Sequence, residues 1–150
     1  MLSFDKAMEV VMKRWTGLVI GAMVVVFLAF DSAVKLLRLQ VAVEGTTRLG
    51  YPEHLVVIIG VVELLCLLAY VIPRTAPVGA LLLTGYLGGA TATQVRVEDP
   101  WLLFPVAVGV LTWGALWLRD PRVGALFFAT STNPENGVTP RPFGSAPHPS

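Results

Sequence analysis

The chain repeats one pattern four times: a long apolar run, then a short segment of glycine, proline and charged residues. A helix rises about 1.5 Å per residue, so about 20 apolar residues are needed to cross a bilayer. The runs therefore predict transmembrane helices at about 15–39, 55–72, 76–95 and 101–118. Because the connections are short, we expect an all-α fold, a four-transmembrane-helix bundle with antiparallel up-down-up-down order.

The basic residues indicate how these helices are oriented, because Lys and Arg outside the spans favour the cytoplasmic side. The side with both termini would carry Lys6, Lys13, Arg14, Arg74, Arg119, Arg122 and Arg141, and the other side Arg38, Arg48 and Arg96, with Lys35 at its border. Both termini are therefore predicted to be cytoplasmic. Residues 1–128 would form the membrane domain, and 129–150, rich in Pro, Ser and Thr, a disordered cytoplasmic tail.

The composition agrees with a membrane location and removes several classes of function. Apolar residues make up 55% of the chain, more than a soluble globule contains, so lipid must cover the excess. A net charge of +1 gives no basis for nucleic-acid binding. The single cysteine, Cys66, excludes an internal disulfide, a dithiol redox pair and a thiolate metal site. We expect no metal site.

Three ionisable residues interrupt the apolar runs, and each needs a partner because an isolated charge in hydrocarbon is costly. Asp31 and Lys35 lie four residues apart on one face of the first span, and Glu63 lies in the second. The two spans run in opposite directions and helical side chains lean toward their own N-terminus, so Lys35 and Glu63 lean toward each other. We predict a Lys35–Glu63 contact, shared with Asp31, in the outer half of the membrane.

The third span adds polar and small residues near the same depth. Tyr86, with Thr91, Thr93 and Gln94 further out, is predicted to join the three ionisable residues in a small pocket that opens outward. Two interpretations stay open for this set: a ligand or proton site, or an ion pair that only fixes the register of the helices. Gly85, Gly88 and Gly89 include a G-x-x-x-G spacing, which is typical of close helix packing in membranes.

Motifs of the common enzyme classes are absent from the sequence. There is no G-x-S-x-G, no H-E-x-x-H, no phosphate-binding P-loop and no dinucleotide fingerprint. We predict no catalytic residue and no cofactor from the residues alone. The pattern favours a chain that is not an enzyme on its own, and leaves activity open.

Segments that cover most of the chain before the tail resemble the DoxX-like family of small four-helix membrane proteins. They are FDSAVKLL at 30–37, RLGYPEHL at 48–55, GVVELLCLLAYVIPRT at 60–75, GALLLTGYLGGATATQVR at 79–96 and WGALWLRDPRVGALF at 113–127. Lys35, Glu63, Tyr86 and Gly89 occupy positions that the pattern of the family shares. The Pro-rich tail departs from the compact end expected of the family.

What the resemblance implies for activity is broad. DoxX is named for a subunit of a thiosulfate:quinone oxidoreductase, other relatives are associated with oxidoreductase complexes, and some act as membrane assembly factors. We therefore expect an accessory subunit of a redox-linked complex in the bacterial plasma membrane, with a quinone headgroup or a partner helix at the polar residues. Its expected partners are the lipid bilayer, membrane oxidoreductase subunits and a second copy of the chain.

Two alternatives belong to other functional classes. In the first, the chain is a proton-coupled small-molecule transporter or a membrane enzyme in which Glu63 exchanges a proton. In the second, it is a membrane assembly chaperone that docks client helices on Gly85 and Gly89.

Overall fold

The computed structural model of the chain describes residues 2–120 and 123. This part is all-helical, with five α-helices and no strand. The helices are α1 (Leu2–Leu36), α2 (Gln40–Arg48), α3 (Leu55–Val71), α4 (Ala76–Arg96) and α5 (Leu103–Arg119). The predicted tail, 129–150, lies outside the described residues.

Helix α1 differs at both ends from the predicted span 15–39. It begins at Leu2 and includes a solvent-exposed turn in which Lys13 pairs with Glu9, Nζ to Oε1, at 2.6 Å. It ends at Leu36 because Arg38 adopts a left-handed backbone with φ of 52°. The Leu39 N–H then donates to the Val34 carbonyl at 3.1 Å, the bonding of a Schellman helix end. The helix therefore stops before residue 39, where the span was predicted to end.

The short helix α2 occupies the segment that was predicted to be a plain connection between the first two spans. It also ends in a Schellman turn, with the Tyr51 N–H bound to the Thr46 carbonyl at 3.1 Å. Gly50 supplies the left-handed position, with φ of 87°. α2 contacts α1 and α3, so the chain folds back over the end of the long helices.

The four long helices pack in a closed ring. α1 contacts α3 and α5, and α4 contacts the same two helices. The core between them contains Val24, Leu28, Tyr70, Leu83 and Leu116. The Tyr70 hydroxyl donates to the Thr112 carbonyl at 3.0 Å, which satisfies the polar end of this buried ring.

Three glycines allow the helices to approach closely. A Cβ on Gly60 of α3 would lie 2.8 Å from the Lys35 Cβ, and one on Gly17 of α1 would lie 2.7 Å from the Leu118 Cβ. A Cβ on Gly79 of α4 would overlap the Tyr70 backbone. Real Cβ atoms do not come this near, so each contact requires glycine.

Much of the outer surface of the described helices is apolar, and a few polar side chains are buried inside. Large apolar side chains are exposed on all four long helices, whereas Ser32, Glu63 and Thr112 are buried. By length and composition, one helix of the described residues, Phe4–Leu36 within α1, is apolar enough to cross a membrane. Leu55–Val71 and Leu103–Arg119 are apolar but have 17 residues each.

Candidate functional site

One ammonium group joins three helices. Lys35 Nζ of α1 lies 2.5 Å from Oδ2 of Asp31, 2.7 Å from Oε2 of Glu63 on α3, and 3.0 Å from Oη of Tyr86 on α4. The Tyr86 hydroxyl donates to the same Glu63 oxygen at 2.9 Å. We call these four residues the Lys35 cluster. The predicted Lys35–Glu63 contact, shared with Asp31, is confirmed.

Glu63 is the most enclosed member of the Lys35 cluster. Its side chain is 0% exposed, against 16% for Lys35 and 39% for Asp31. Its second oxygen, Oε1, is buried without a hydrogen-bond partner among the described residues. Two carboxyl groups share one ammonium, so removal of Lys35 would leave buried oxygens without a counter-charge.

Local sequence accounts for the geometry of the cluster. Asp31 and Lys35 are one helical turn apart, which places both on the face of α1 that meets α3. Gly60 lies one turn before Glu63, and its missing side chain lets the Lys35 backbone approach α3. Glu63 can therefore reach the lysine within hydrogen-bonding distance.

A cavity of about 480 Å³ adjoins the cluster, with Lys35 and Tyr86 in its wall. The remaining wall is mostly apolar, with Leu55, Ile58 and Val62 of α3 among its side chains. This volume is within the range of small-molecule pockets, and a few polar groups in an apolar wall are their usual composition. The arrangement can hold a polar head near Lys35 and Tyr86 with its apolar part against α3.

Helix α2 and the turn after it cover one end of this cavity. Tyr51 and Thr93 are linked through their hydroxyls at 2.9 Å, and Arg96 donates to the Leu49 carbonyl at 3.0 Å. Arg48 lies 3.7 Å from Asp99. These contacts fix the end of α2 to the end of α4.

Thr46 of α2 also lines the cavity, and it is only 7% exposed. The donors around it are already used, since Lys35 makes three hydrogen bonds and Tyr86 gives its proton to Glu63. For the Thr46 hydroxyl, in contrast, the described part of the chain contains no hydrogen-bond partner. A hydroxyl that lines a cavity and has no partner can donate to a ligand.

Thr91 does not join the cluster, and this part of the prediction is wrong. Its hydroxyl donates to the Leu87 carbonyl at 2.8 Å, and the residue lines a different groove, of about 440 Å³, between α4 and α5. The reason is angular: at about 100° per residue, Thr91 is about 140° around the helix from Tyr86. Thr93, which was predicted alongside Thr91, lies about 20° from Tyr86 around the helix and does line the cavity.

The predicted packing glycines do not pack within the described part of the chain. A Cβ added to Gly85, Gly88 or Gly89 would find no atom there within 4 Å. Gly85 and Gly89 line the cavity beside the Lys35 cluster, and Gly88 lines the α4–α5 groove. The close helix contacts are made by Gly17, Gly60 and Gly79, which were not predicted.

No metal centre is found in residues 2–120 and 123, where no group of three or more His, Cys, Asp or Glu side chains could hold an ion. Cys66 is buried and forms no disulfide there.

Trp113 donates to the Thr84 hydroxyl at 2.8 Å beside the α4–α5 groove.

The sequence profile of the DoxX-like family matches residues 19–115, which include α2, α3, α4 and every member of the Lys35 cluster. No curated protein and no solved structure matches the chain.

Proposed function

Because this chain belongs to the DoxX-like family of membrane proteins, we propose that it is a multi-pass accessory subunit of a redox-linked membrane complex. In this proposal α1, α3, α4 and α5 are four antiparallel spans with both termini in the cytoplasm. The cavity beside the Lys35 cluster binds the polar head of a lipophilic ligand, with a quinone head as the leading candidate.

The exposed side chains support four spans. Apolar residues that a soluble protein would bury are exposed on each long helix, among them Met23, Val26, Leu65, Leu81 and Val110. Contiguous apolar surface of this kind requires lipid or protein to cover it. α3 and α5, with 17 residues each, are near the lower limit for a crossing, which is about 17 residues.

The observation that carries the ligand proposal is the position of Lys35 and Tyr86 in the wall of an otherwise apolar cavity. A quinone has carbonyl acceptors on a flat ring and an apolar tail, so it needs a donor inside an apolar pocket. The free Thr46 hydroxyl offers that donor. Lys35 and Tyr86 place polar groups beside this donor in an otherwise apolar wall.

Thr46 gives the sharpest test, because its hydroxyl has no partner within the described chain that a substitution would leave unsatisfied. Purified protein in lipid nanodiscs is titrated with a decyl-substituted benzoquinone. We expect Thr46→Val to weaken binding by roughly fivefold, the loss of one hydrogen bond of about 1 kcal/mol, with thermal stability unchanged. Thr47→Val is the matched control, because the exposed Thr47 hydroxyl donates to the Val43 and Glu44 carbonyls. Equal affinity of Thr46→Val and wild type would remove Thr46 from the site.

The accessory role is tested by native purification followed by mass spectrometry of the co-purifying proteins and lipophilic molecules. We expect oxidoreductase subunits with the wild type and a reduced yield of the bound small molecule with Glu63→Gln. Glu9→Gln, which changes a carboxylate of an exposed ion pair on α1, is the control. Recovery of the chain without any protein partner would contradict the subunit proposal.

An assembly chaperone is the second candidate, because Gly85 and Gly89 leave an exposed surface that a client helix could contact. Photocrosslinkers placed at these two positions would then capture a protein partner in native membranes. The transporter or proton-exchange alternative is less well supported, since the Glu63 side chain is fully buried and is not part of the cavity wall.

A further inference from the structure

The cavity beside the Lys35 cluster has one edge without a covering side chain. On α4 this edge consists of Gly85 and Gly89, which are exposed and line the cavity. On α3 it consists of Ile58 and Val62, which are 55% and 45% exposed. A Cβ at either glycine would meet no described atom within 4 Å, so the edge is open where these glycines lie.

The end of the cavity beyond this edge is covered. Tyr51 meets Thr93 there, and Arg96 holds the Leu49 carbonyl, so α2 and its turn lie between the cavity and the aqueous side. In the four-span arrangement, the open edge between α3 and α4 faces the hydrocarbon. The cavity is thus covered toward water and open toward lipid.

From these features we infer that the ligand enters sideways from the bilayer, between α3 and α4, and that Gly85 and Gly89 are the specificity-determining residues of this entrance. The inference rests on the ligand site proposed above. It also has its own support in Thr46, a residue that is 7% exposed, lines the cavity and carries an unpartnered hydroxyl.

The geometry defines the class of molecule that can use this route. It must dissolve in the bilayer, which excludes ions and sugars. Its leading part must be flat or narrow, because the opening is the space that two missing side chains leave on one helix. Its head must carry a hydrogen-bond acceptor for Thr46, while the tail can remain between Ile58 and Val62 in contact with lipid. An alkyl-substituted aromatic ring with carbonyl groups meets all three conditions.

Photolabelling tests the entrance independently of the ligand. Full-length protein in liposomes is irradiated with a membrane-soluble aryl diazirine, and the yield at Tyr86 is read by mass spectrometry. We expect clear labelling of Tyr86 in the wild type. In Gly85→Leu and Gly89→Leu the labelling yield should fall about tenfold, which corresponds to a closed entrance in about nine of ten molecules. A charged, water-soluble diazirine should not label Tyr86.

Gly88→Leu is the matched control, because Gly88 is equally open but faces the α4–α5 groove. Its Tyr86 labelling should equal that of the wild type. A Cβ at each of the three positions meets no described atom within 4 Å, so each variant is expected to fold, and thermal unfolding checks this. Undiminished labelling in Gly85→Leu and Gly89→Leu, absence of labelling in the wild type, or labelling by the charged probe would overturn the lateral entrance.

A competition arm separates this inference from the proposed function. The decyl-substituted benzoquinone is added before irradiation, and protection of Tyr86 is expected if the cavity holds its ring. Glycine-dependent labelling without protection would keep the entrance and reject the quinone ligand. Protection that persists in Gly85→Leu and Gly89→Leu would keep the ligand site and reject the route.

Discussion

Lys35 is the residue on which the buried polar contacts converge, since its three N–H groups bind side chains from α1, α3 and α4. An ammonium group has no further donor. The cluster is therefore complete without any ligand on Lys35 itself, and a ligand must use the remaining lone pairs or the Thr46 hydroxyl. Both interpretations of the cluster, a site and a structural ion pair, are consistent with this arrangement.

We predict that Lys35→Met destabilises the fold by about 3–5 kcal/mol, because it leaves two carboxyl groups without their shared counter-charge. SDS titration of the protein in micelles measures this free energy of unfolding. Lys13→Met is the control, since the Lys13–Glu9 pair has the same spacing on the same helix but is exposed, and its unfolding curve should match the wild type. Wild-type stability of Lys35→Met would show that the cluster contributes nothing to the fold.

The sequence was sufficient to predict the contact between Lys35 and Glu63, because local helix geometry sets the direction of both side chains and their depth in the membrane. It was not sufficient for Thr46 and Tyr51, whose roles depend on how the chain folds back after α1. The depth of Thr91 suits the cluster, but its angle around α4 excludes it, because its side chain points toward a different groove.

At the scale of helices, glycines occur both at close helix contacts and on open surface. Gly60 brings α3 against Lys35, whereas the G-x-x-x-G pair on α4 borders a cavity. The same residue type thus has opposite roles, because a glycine gives close packing only where a neighbouring helix is present. The sequence does not distinguish these cases, since the neighbours of each face are decided by the packing of the whole ring.

Gly60→Ala is predicted to destabilise the protein by about 1–3 kcal/mol, because its Cβ would lie 2.8 Å from the Lys35 Cβ and force α1 away from α3. Gly45→Ala in α2, where a Cβ meets no described atom, should instead stabilise by about 0.5–1 kcal/mol through helix propensity. SDS or thermal unfolding of both variants measures the two effects. A stabilising Gly60→Ala would mean that α1 and α3 can separate without cost.

The end of α1 and the whole of α2 show why boundaries were harder to predict than helices. Arg38 takes the left-handed position that glycine usually supplies, so no residue type marks the end of α1. α2 contains Gly45 and two threonines, which lower its intrinsic helix propensity, and its contacts with α1 and α3 compensate.

At the scale of the molecule, apolar side chains form both the core of the ring and much of its outer surface, and a few polar groups are enclosed in the interior. That distribution follows directly from the four apolar runs, so the all-helical fold could be predicted with little further information. The number of spans is a stronger claim, because among the helices of the described residues only α1 meets the criteria of length and apolarity. An association of two copies stays a prediction.

Single cysteines in a Cys66→Ala background test the four-span arrangement. We expect Arg74→Cys, in the α3–α4 connection, to react with a membrane-impermeant thiol reagent on the side of the N-terminus. Glu98→Cys, in the α4–α5 connection, should react on the opposite side, because one span separates the two connections. Reaction of both cysteines from one side would contradict a crossing by α4.

Asp31 has a further role if the four spans enter the bilayer in chain order. α1 is then synthesised and inserted before α3 exists, at a time when Glu63 cannot neutralise Lys35. Asp31, one turn away on the same helix, can hold the ammonium during this interval. When α3 arrives, Lys35 gains its second carboxylate without having crossed the hydrocarbon as an unpaired cation. The carboxylate that is more exposed in the finished fold is thus the one that assists its biogenesis.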